Sequence, residues 1–247
     1  MKILLTGANG QLGRCFRDLV SETDTVLALG SQELDISNRQ AVIETAKQFQ
    51  PDIIINAAAY TAVDKAESEP ERAAAVNSHG PENLALAAKA VGAKLVHVST
   101  DYVFDGTGST PYLETDAVNP LGVYGQTKLA GELLVRSILP DAIIVRTAWV
   151  FSEYGNNFVK TMLRLAKDRS ELGIVADQVG CPTYAGDIAT AILKMLEGNA
   201  AGGIYHYCGD RSVSWAEFAQ VIFSEAEKAG ILSQSPKVNF ITTEQYP

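Results

Sequence analysis

Residues 1–6, Met-Lys-Ile-Leu-Leu-Thr, form a short apolar strand pattern. It runs directly into Gly7-Ala8-Asn9-Gly10-Gln11-Leu12-Gly13 and then into an amphipathic helical pattern through Val20. No other stretch constrains the fold as tightly. The glycines are spaced G-x-x-G-x-x-G, a variant of the dinucleotide fingerprint, and stand between a strand and a helix N-terminus. There Gly7 permits the turn, Gly10 lets backbone approach a pyrophosphate, and Gly13 lets helix pack on strand. Gln11 and Leu12 open a helix whose N–H groups and positive dipole end suit phosphate. The placement between a clear strand and a clear helix favours a dinucleotide site over a purely structural turn.

The pattern then repeats. Strands are expected at 25–29, 52–55, 94–98 and 142–146. Helices are expected between them, one capped by Ser37 or Asn38, one Ala-rich over 70–91 and one over 119–138. Strands alternating with helices predict an α/β fold, a Rossmann-type doubly wound parallel sheet over residues 1–150. After Trp149 the alternation loosens. Helices at 156–167, 186–196 (capped through Asp187) and 214–229, with strands at 172–176 and 204–207, read as a smaller, partly interleaved substrate lobe over 151–247. Ser214-Trp215-Ala216-Glu217 is a capping box for the last helix.

Composition narrows the function classes. With 47% hydrophobic and 20% charged residues the 247-residue chain is that of an ordinary globular protein. A net charge of −9 works against nucleic acid and anionic membranes, which need a basic face. No run approaches the roughly 18 to 20 apolar residues of a membrane span, and the N-terminus enters a strand instead of a signal pattern. The cytoplasm is the expected compartment. Cys15, Cys181 and Cys208 are odd in number and widely separated, so thiols are expected in place of a zinc or redox pair.

Chemistry concentrates between Ser99 and Lys128. Ser99-Thr100-Asp101-Tyr102-Val103-Phe104-Asp105-Gly106 follows the apolar strand pattern, and Tyr124-Gly125-Gln126-Thr127-Lys128 lies on the next helical pattern. Tyr124 and Lys128, four apart, share a helix face. A tyrosine titrates near about 10. A lysine cation roughly 4 Å away lowers that by up to roughly three units before desolvation opposes it. The pair is expected to make Tyr124 a usable acid. Thr100 would hydrogen-bond a carbonyl oxygen as charge develops, while Lys128 also holds a nicotinamide ribose. This is a plan for delivering hydride and proton to a carbonyl.

Other residues fill out the cofactor side. The second strand ends Leu29-Gly30-Ser31 with no acid to hold a ribose 2′-hydroxyl. Ser31 could accept a 2′-phosphate, yet no Arg follows, so NADPH and NADH are both admitted. Asp35 and Ile36 either flank an adenine or serve as loop and cap residues. Asn56-Ala57-Ala58-Ala59-Tyr60-Thr61 ends the third strand, where small residues admit a flat cofactor or a close helix. Asn77 is counted with the cofactor residues, as a buried polar group bonding backbone near the fourth strand. His79 reads as a surface residue and His97 as a strand histidine.

These motifs together resemble the extended short-chain dehydrogenases, and within them the dTDP-4-dehydrorhamnose reductase family. The resemblance rests on residues 6–13, Asn56 to Ala59 with Val63-Asp64-Lys65-Ala66-Glu67, Ser99 to Gly106, and Tyr124 to Lys128 with Leu129-Ala130-Gly131-Glu132. It continues through Arg146-Thr147-Ala148-Trp149-Val150, Gly155-Asn156-Asn157-Phe158 and 177–183, and so spans essentially the whole chain. It implies reduction by NADPH or NADH of the 4-keto group of dTDP-4-dehydro-L-rhamnose, for lipopolysaccharide and other surface polysaccharide. It assigns Thr100, Tyr124 and Lys128 to catalysis, and Thr100, Asp101, Val103, Phe104 and Trp149 to the sugar nucleotide.

Two departures accompany it. Family members can join a homodimer through magnesium, but Cys15 and Gly186 stand where the acidic ligands align, so no metal site is expected. The family pattern also continues past Pro247 with a basic, proline-containing segment and a helix. A nucleotide-sugar dehydratase or epimerase is the alternative within the fold; Tyr102 after Asp101, in place of an acid, argues against dehydration. A noncatalytic regulatory subunit of the methionine adenosyltransferase type is the alternative in another class. The intact Thr100, Tyr124 and Lys128 favour an enzyme.

Overall fold

The computed structural model describes residues 1–246. In chain order the elements are β1 (Lys2–Thr6), α1 (Gln11–Leu19), β2 (Thr25–Leu29), α2 (Arg39–Phe49), β3 (Ile53–Asn56), α3 (Val63–Ala66) and α4 (Pro70–Ala74). They continue through α5 (Gly80–Val91), β4 (Lys94–Thr100), α6 (Val123–Ile138), β5 (Ile143–Thr147), β6 (Val150–Phe151), α7 (Phe158–Ala166) and β7 (Glu171–Val175). The last are β8 (Val179–Gly180), β9 (Thr183–Tyr184), α8 (Ala185–Glu197), β10 (Gly203–His206), β11 (Val213–Ser214), α9 (Trp215–Lys228) and β12 (Lys237–Ile241).

The chain divides into two compact units. One holds Met1–Thr147 with Gly186–Tyr207; the other holds Ala148–Ala185 with the residues from Cys208 on. The sequence places its boundary at 150 with partial interleaving. In the structure α8 and β10 lie with the first unit, because β10 pairs in parallel with β5, Ile204 opposite Ile144.

The first unit is built on a six-stranded parallel sheet in the order β10-β5-β4-β3-β1-β2. Its inner strands are almost wholly buried. This follows from their unbroken β-branched and leucine runs, which need cover on both faces. Leu4, Ile54, Leu84, Leu95, Val135 and Ile144 share one core, each worth about 1.5–3 kcal/mol over an exposed side chain. The register sets Thr6 beside Asn56, Asn56 beside His97, and Ser99 beside Arg146. A row of polar side chains therefore crosses the C-terminal end of an otherwise apolar sheet. Of the two cap residues suggested for α2, Asn38 accepts from the Ala41 N–H at 3.1 Å, while Ser37 bonds Asp35.

Two helices differ from their expected form. The Ala-rich stretch 70–91 is interrupted by a π-helical turn over Ala75–His79. Pro81 has no N–H to give the Asn77 carbonyl, so the ordinary ladder cannot pass through. That carbonyl lies so close to α6 that any side chain at Gly131 would collide with it. The helix expected from 119 begins at Val123 with Gly122 as its cap. The residue before Pro120 disfavours helix, and the Asn119 N–H is taken by the Val103 carbonyl at 2.9 Å.

The second unit has its own core of Met162, Leu172, Ile174, Phe218, Ile222 and Phe223. Its strands form three separate pairs. The longest, β12 beside β7, brings in a strand the sequence reading did not anticipate. The capping box is present, with Ser214 and Glu217 each bonding the other's backbone N–H. Asp187 lies inside the first turn of α8, because that helix already begins at Ala185. Trp149 has a positive φ of 46°, and its indole stacks on Trp215 at 3.4 Å between centroids. Among the described residues no helix is long and apolar enough to cross a membrane, and the three cysteines form no disulfide.

Candidate active site

The glycine turn is shaped by what it lacks. Gly7 has φ +70°, and a Cβ there would stand 2.5 Å from the Ala57 carbonyl carbon and the Ala58 nitrogen. Only glycine accepts both that conformation and that approach. The turn closes through Gly10 N–H to the Gly7 carbonyl at 3.0 Å. Gly10 then caps α1 without a side chain, so no residue at the cap competes with a phosphate for the helix N-terminus. The neighbouring strand ends are drawn in by Ala8 N–H to Leu29 O and Ala57 N–H to Thr6 O. The result is a bare cradle with half-buried Ala57, Ala58, Ala59 and Tyr60 beside it and Thr61 exposed. It fits the pyrophosphate of a dinucleotide.

The remaining cofactor candidates divide. Ser31 is exposed beside Gly30. The Asp35 carboxylate accepts from the Ser37 N–H and hydroxyl at 2.9 and 2.7 Å, and Ile36 is buried in the core. An acid does reach the end of β2, from three residues further on: Glu33 accepts the Gly30 N–H at 2.9 Å. A turn carries it there, which strand-end spacing alone does not reveal. Asn77 clamps Tyr60, accepting its N–H at 2.8 Å and donating to its carbonyl at 3.0 Å. It therefore anchors the segment after β3, not the backbone near β4, because the π-helical turn faces that segment. His79 is exposed, 3.5 Å from Glu82.

The catalytic candidates meet where α6 lies on the end of β4. The Thr100 side chain acts on the Tyr124 phenol, drawing its pKa down against the effect of burial. Thr100 also donates to Asp101 at 3.0 Å and accepts the Tyr102 N–H at 3.2 Å. The Lys128 ammonium, 2% exposed, donates to the Val98 carbonyl at 2.7 Å. One turn on, the buried Glu132 carboxylate accepts from Ser99 at 2.5 Å and from Arg146 Nε and Nη2 at 2.9 and 2.7 Å. Ser99, Glu132 and Arg146 were not picked out as site residues from the sequence. Their signal was the presence of charge, Glu132 four residues after Lys128 and Arg146 inside an apolar strand.

Burial governs the electrostatics. It pushes the Tyr124 phenol up to about 12; Asp101 and Tyr102 act in the same direction and the Thr100 side chain opposes. It pulls the Lys128 ammonium down to about 8, with Glu132 acting the other way. This corrects the expected lowering of Tyr124 by Lys128. Burial is the largest influence on the phenol, and the Lys128 ammonium is turned to the Val98 carbonyl. His97 is held neutral, well below its ordinary value, first by burial and then by the Lys128 charge. Its Nδ1 faces Asn56 Nδ2 at 3.0 Å. Asn56 in turn accepts from Thr6 and from the Ala58 N–H.

Among the residues expected on the sugar-nucleotide side, Asp101 is half-buried and its carboxyl is raised by burial. Val103 is fully buried. Phe104 is buried too, stacked on Tyr112 at 4.3 Å with the Arg146 guanidinium 5.2 Å from its ring. Both are held within the first unit. Trp149 belongs to the second.

Comparison with known proteins identifies the scaffold. The family model described as the RmlD substrate binding domain matches residues 1–247. The dTDP-4-dehydrorhamnose reductase of Aggregatibacter actinomycetemcomitans is 51% identical, over 100% of this chain and 86% of its own length. The crystal structure of a dTDP-4-dehydrorhamnose reductase from Clostridium acetobutylicum superposes with TM-score 0.94 at 46% identity, covering 100% of this chain and 86% of that one. The Bacillus anthracis dTDP-4-dehydrorhamnose reductase, solved with NADP, gives TM-score 0.94 at 41% identity over 99% of this chain and 85% of that one. A glycine cradle and a Thr-Tyr-Lys constellation on a sheet that matches these enzymes along its full length mean that the chain belongs to the dTDP-4-dehydrorhamnose reductase family.

Proposed function

We propose that this chain reduces the 4-keto group of dTDP-4-dehydro-L-rhamnose to dTDP-L-rhamnose with NADPH or NADH, in the cytoplasm, for surface polysaccharide synthesis. The observation that carries the reading is the buried Lys128, bonded to the Val98 carbonyl two residues before Thr100 and one helical turn from the buried Tyr124. Gly7, Gly10 and the first turn of α1 would hold the pyrophosphate, Ala57 to Thr61 the flat nicotinamide half, and Lys128 its ribose. The reduced dinucleotide, when bound, supplies the hydride.

The chain's own residues manage the oxygen. Thr100 turns its hydroxyl from Asp101 to the substrate carbonyl and donates to it as negative charge grows. Tyr124, held at about 12, keeps its proton at neutral pH and is ready to give it to that oxygen. Lys128, at about 8, remains mostly cationic there and offsets the phenolate left behind. Thr100, Asp101, Val103 and Phe104 of the first unit are assigned to the sugar nucleotide.

The test follows the loss of reduced-dinucleotide absorbance with purified dTDP-4-dehydro-L-rhamnose. Wild type is expected to turn over, and Tyr124→Phe to lose about 100-fold or more in kcat. Absence of turnover in the wild type, or undiminished turnover in the variant, overturns the assignment.

A further inference from the structure

Three residues of α6, each four from the next, hold three consecutive residues of β4. The Thr100 side chain acts on the Tyr124 phenol, Lys128 donates to the carbonyl of Val98, and Glu132 accepts from the side chain of Ser99. Side chains at i and i+4 stack along one helix face, so helix and strand are joined by a ladder of three rungs. The first two rungs carry the proposed chemistry; the third is given no contact with substrate or cofactor in that reading. It is nonetheless the most firmly fixed. The Glu132 carboxylate is 1% exposed and is gripped through both oxygens by Arg146, itself 4% exposed, which is delivered from β5.

The charges give this rung a purpose. Lys128 and Arg146 are two buried cations with Glu132 the buried anion between their helix and strands. Burying unpaired charge is costly, and a lysine without a counter-charge relieves that cost by giving up its proton. Tyr124 and Glu132 lie one turn to either side of Lys128 on α6, His97 of β4 feels its charge, and Arg146 of β5 is bound to Glu132. Tyr124 and His97 are neutral at pH 7, so Glu132 supplies the opposing charge. The same carboxylate fixes Ser99, the residue immediately before Thr100.

We propose that Glu132 is a positioning residue of this active site, keeping Lys128 charged and the Ser99–Thr100 strand end in register with Tyr124. The proposal rests on the reductase reading for its kinetic consequence, while its electrostatic part is measurable in the protein without dinucleotide or substrate. The Lys128 side-chain NMR resonance, assigned through Lys128→Met, is followed against pH in wild type and in Glu132→Gln. Wild type is expected to titrate near pH 8, and the variant about one unit lower. In the reductase assay Glu132→Gln loses about tenfold in kcat with KM within about threefold. Ser99→Ala keeps the charge, so its midpoint stays at the wild-type value while kcat falls.

Glu132→Gln leaves Arg146 buried with half its partner. If that variant does not fold, Ser99→Ala, which breaks the Glu132 contact to the strand and leaves every charge in place, takes its place, and undiminished kcat in it overturns the proposal. A Lys128 midpoint that does not move in folded Glu132→Gln overturns the proposal, whatever happens to the melting temperature. Should the midpoint move while wild type reduces no sugar nucleotide, the ladder stands and the reductase reading fails.

Discussion

The first unit holds the two regions proposed for function, and they are built by opposite means. The dinucleotide cradle is made of backbone and of side chains left out: Gly7 pressed against Ala57, Gly10 as a bare cap, and alanines at the end of β3. The proton-handling region is made of charged side chains forced into the core, Lys128, Glu132 and Arg146, all under 5% exposed. A pyrophosphate is recognised by many small dipoles that need access, and a side chain would only obstruct them. A phenol and an ammonium shifted from their ordinary values need removal from water, which only packed neighbours provide. The first region is therefore vulnerable to added atoms and the second to removed ones.

That contrast can be broken experimentally, most forcefully in the buried cluster. Arg146→Met leaves the Glu132 carboxylate buried without its guanidinium partner, and is expected to cost about 3–5 kcal/mol of unfolding free energy. A denaturant titration measures it, and a loss below about 1 kcal/mol would mean that the ion pair is dispensable.

A smaller effect is expected at the cradle. Gly7→Ala adds one methyl group at φ +70° and 2.5 Å from Ala57, a backbone strain of about 1–3 kcal/mol before the clash is relieved. The dissociation constant for NADPH, read by fluorescence, should rise about tenfold or more. Unchanged binding would remove the glycine turn from the cofactor site.

The smallest effect separates the regions by pH. Lys128 titrates at about 8 when folded, against 10.5 ordinarily. Between these values the unfolded chain binds more protons, so this residue makes stability rise with pH across that window. Tyr124 acts oppositely from about 10 to about 12, where the folded phenol holds the extra proton. Urea unfolding at pH 8 and 10 should show the lysine-dependent rise in wild type and its loss in Lys128→Met. Gly7→Ala should keep it, and equal slopes in all three proteins would deny Lys128 its burial.

Much of this was legible in the chain. Periodicity exposed the parallel strands because each is a continuous apolar run, and the glycine turn announced itself by position. The second unit was harder to read: its two-residue strands pair with partners far along the chain, and nothing local marks β12 as the neighbour of β7. The π-helical turn was prefigured only by Pro81, and Asn77 was assigned to the wrong stretch of backbone because its target depends on how that turn faces.

The sequence by itself determined the α/β alternation and the glycine turn, and it singled out Thr100, Tyr124 and Lys128 as candidates, since each follows from local spacing and residue type. Only the tertiary structure decided that Lys128 bonds Val98 while burial sets Tyr124 near 12. It alone brought Arg146 to Glu132, fourteen positions apart, and Glu132 to Ser99. The reason is physical: a side chain's charge state depends on what surrounds it in space, and those neighbours come from different strands and helices.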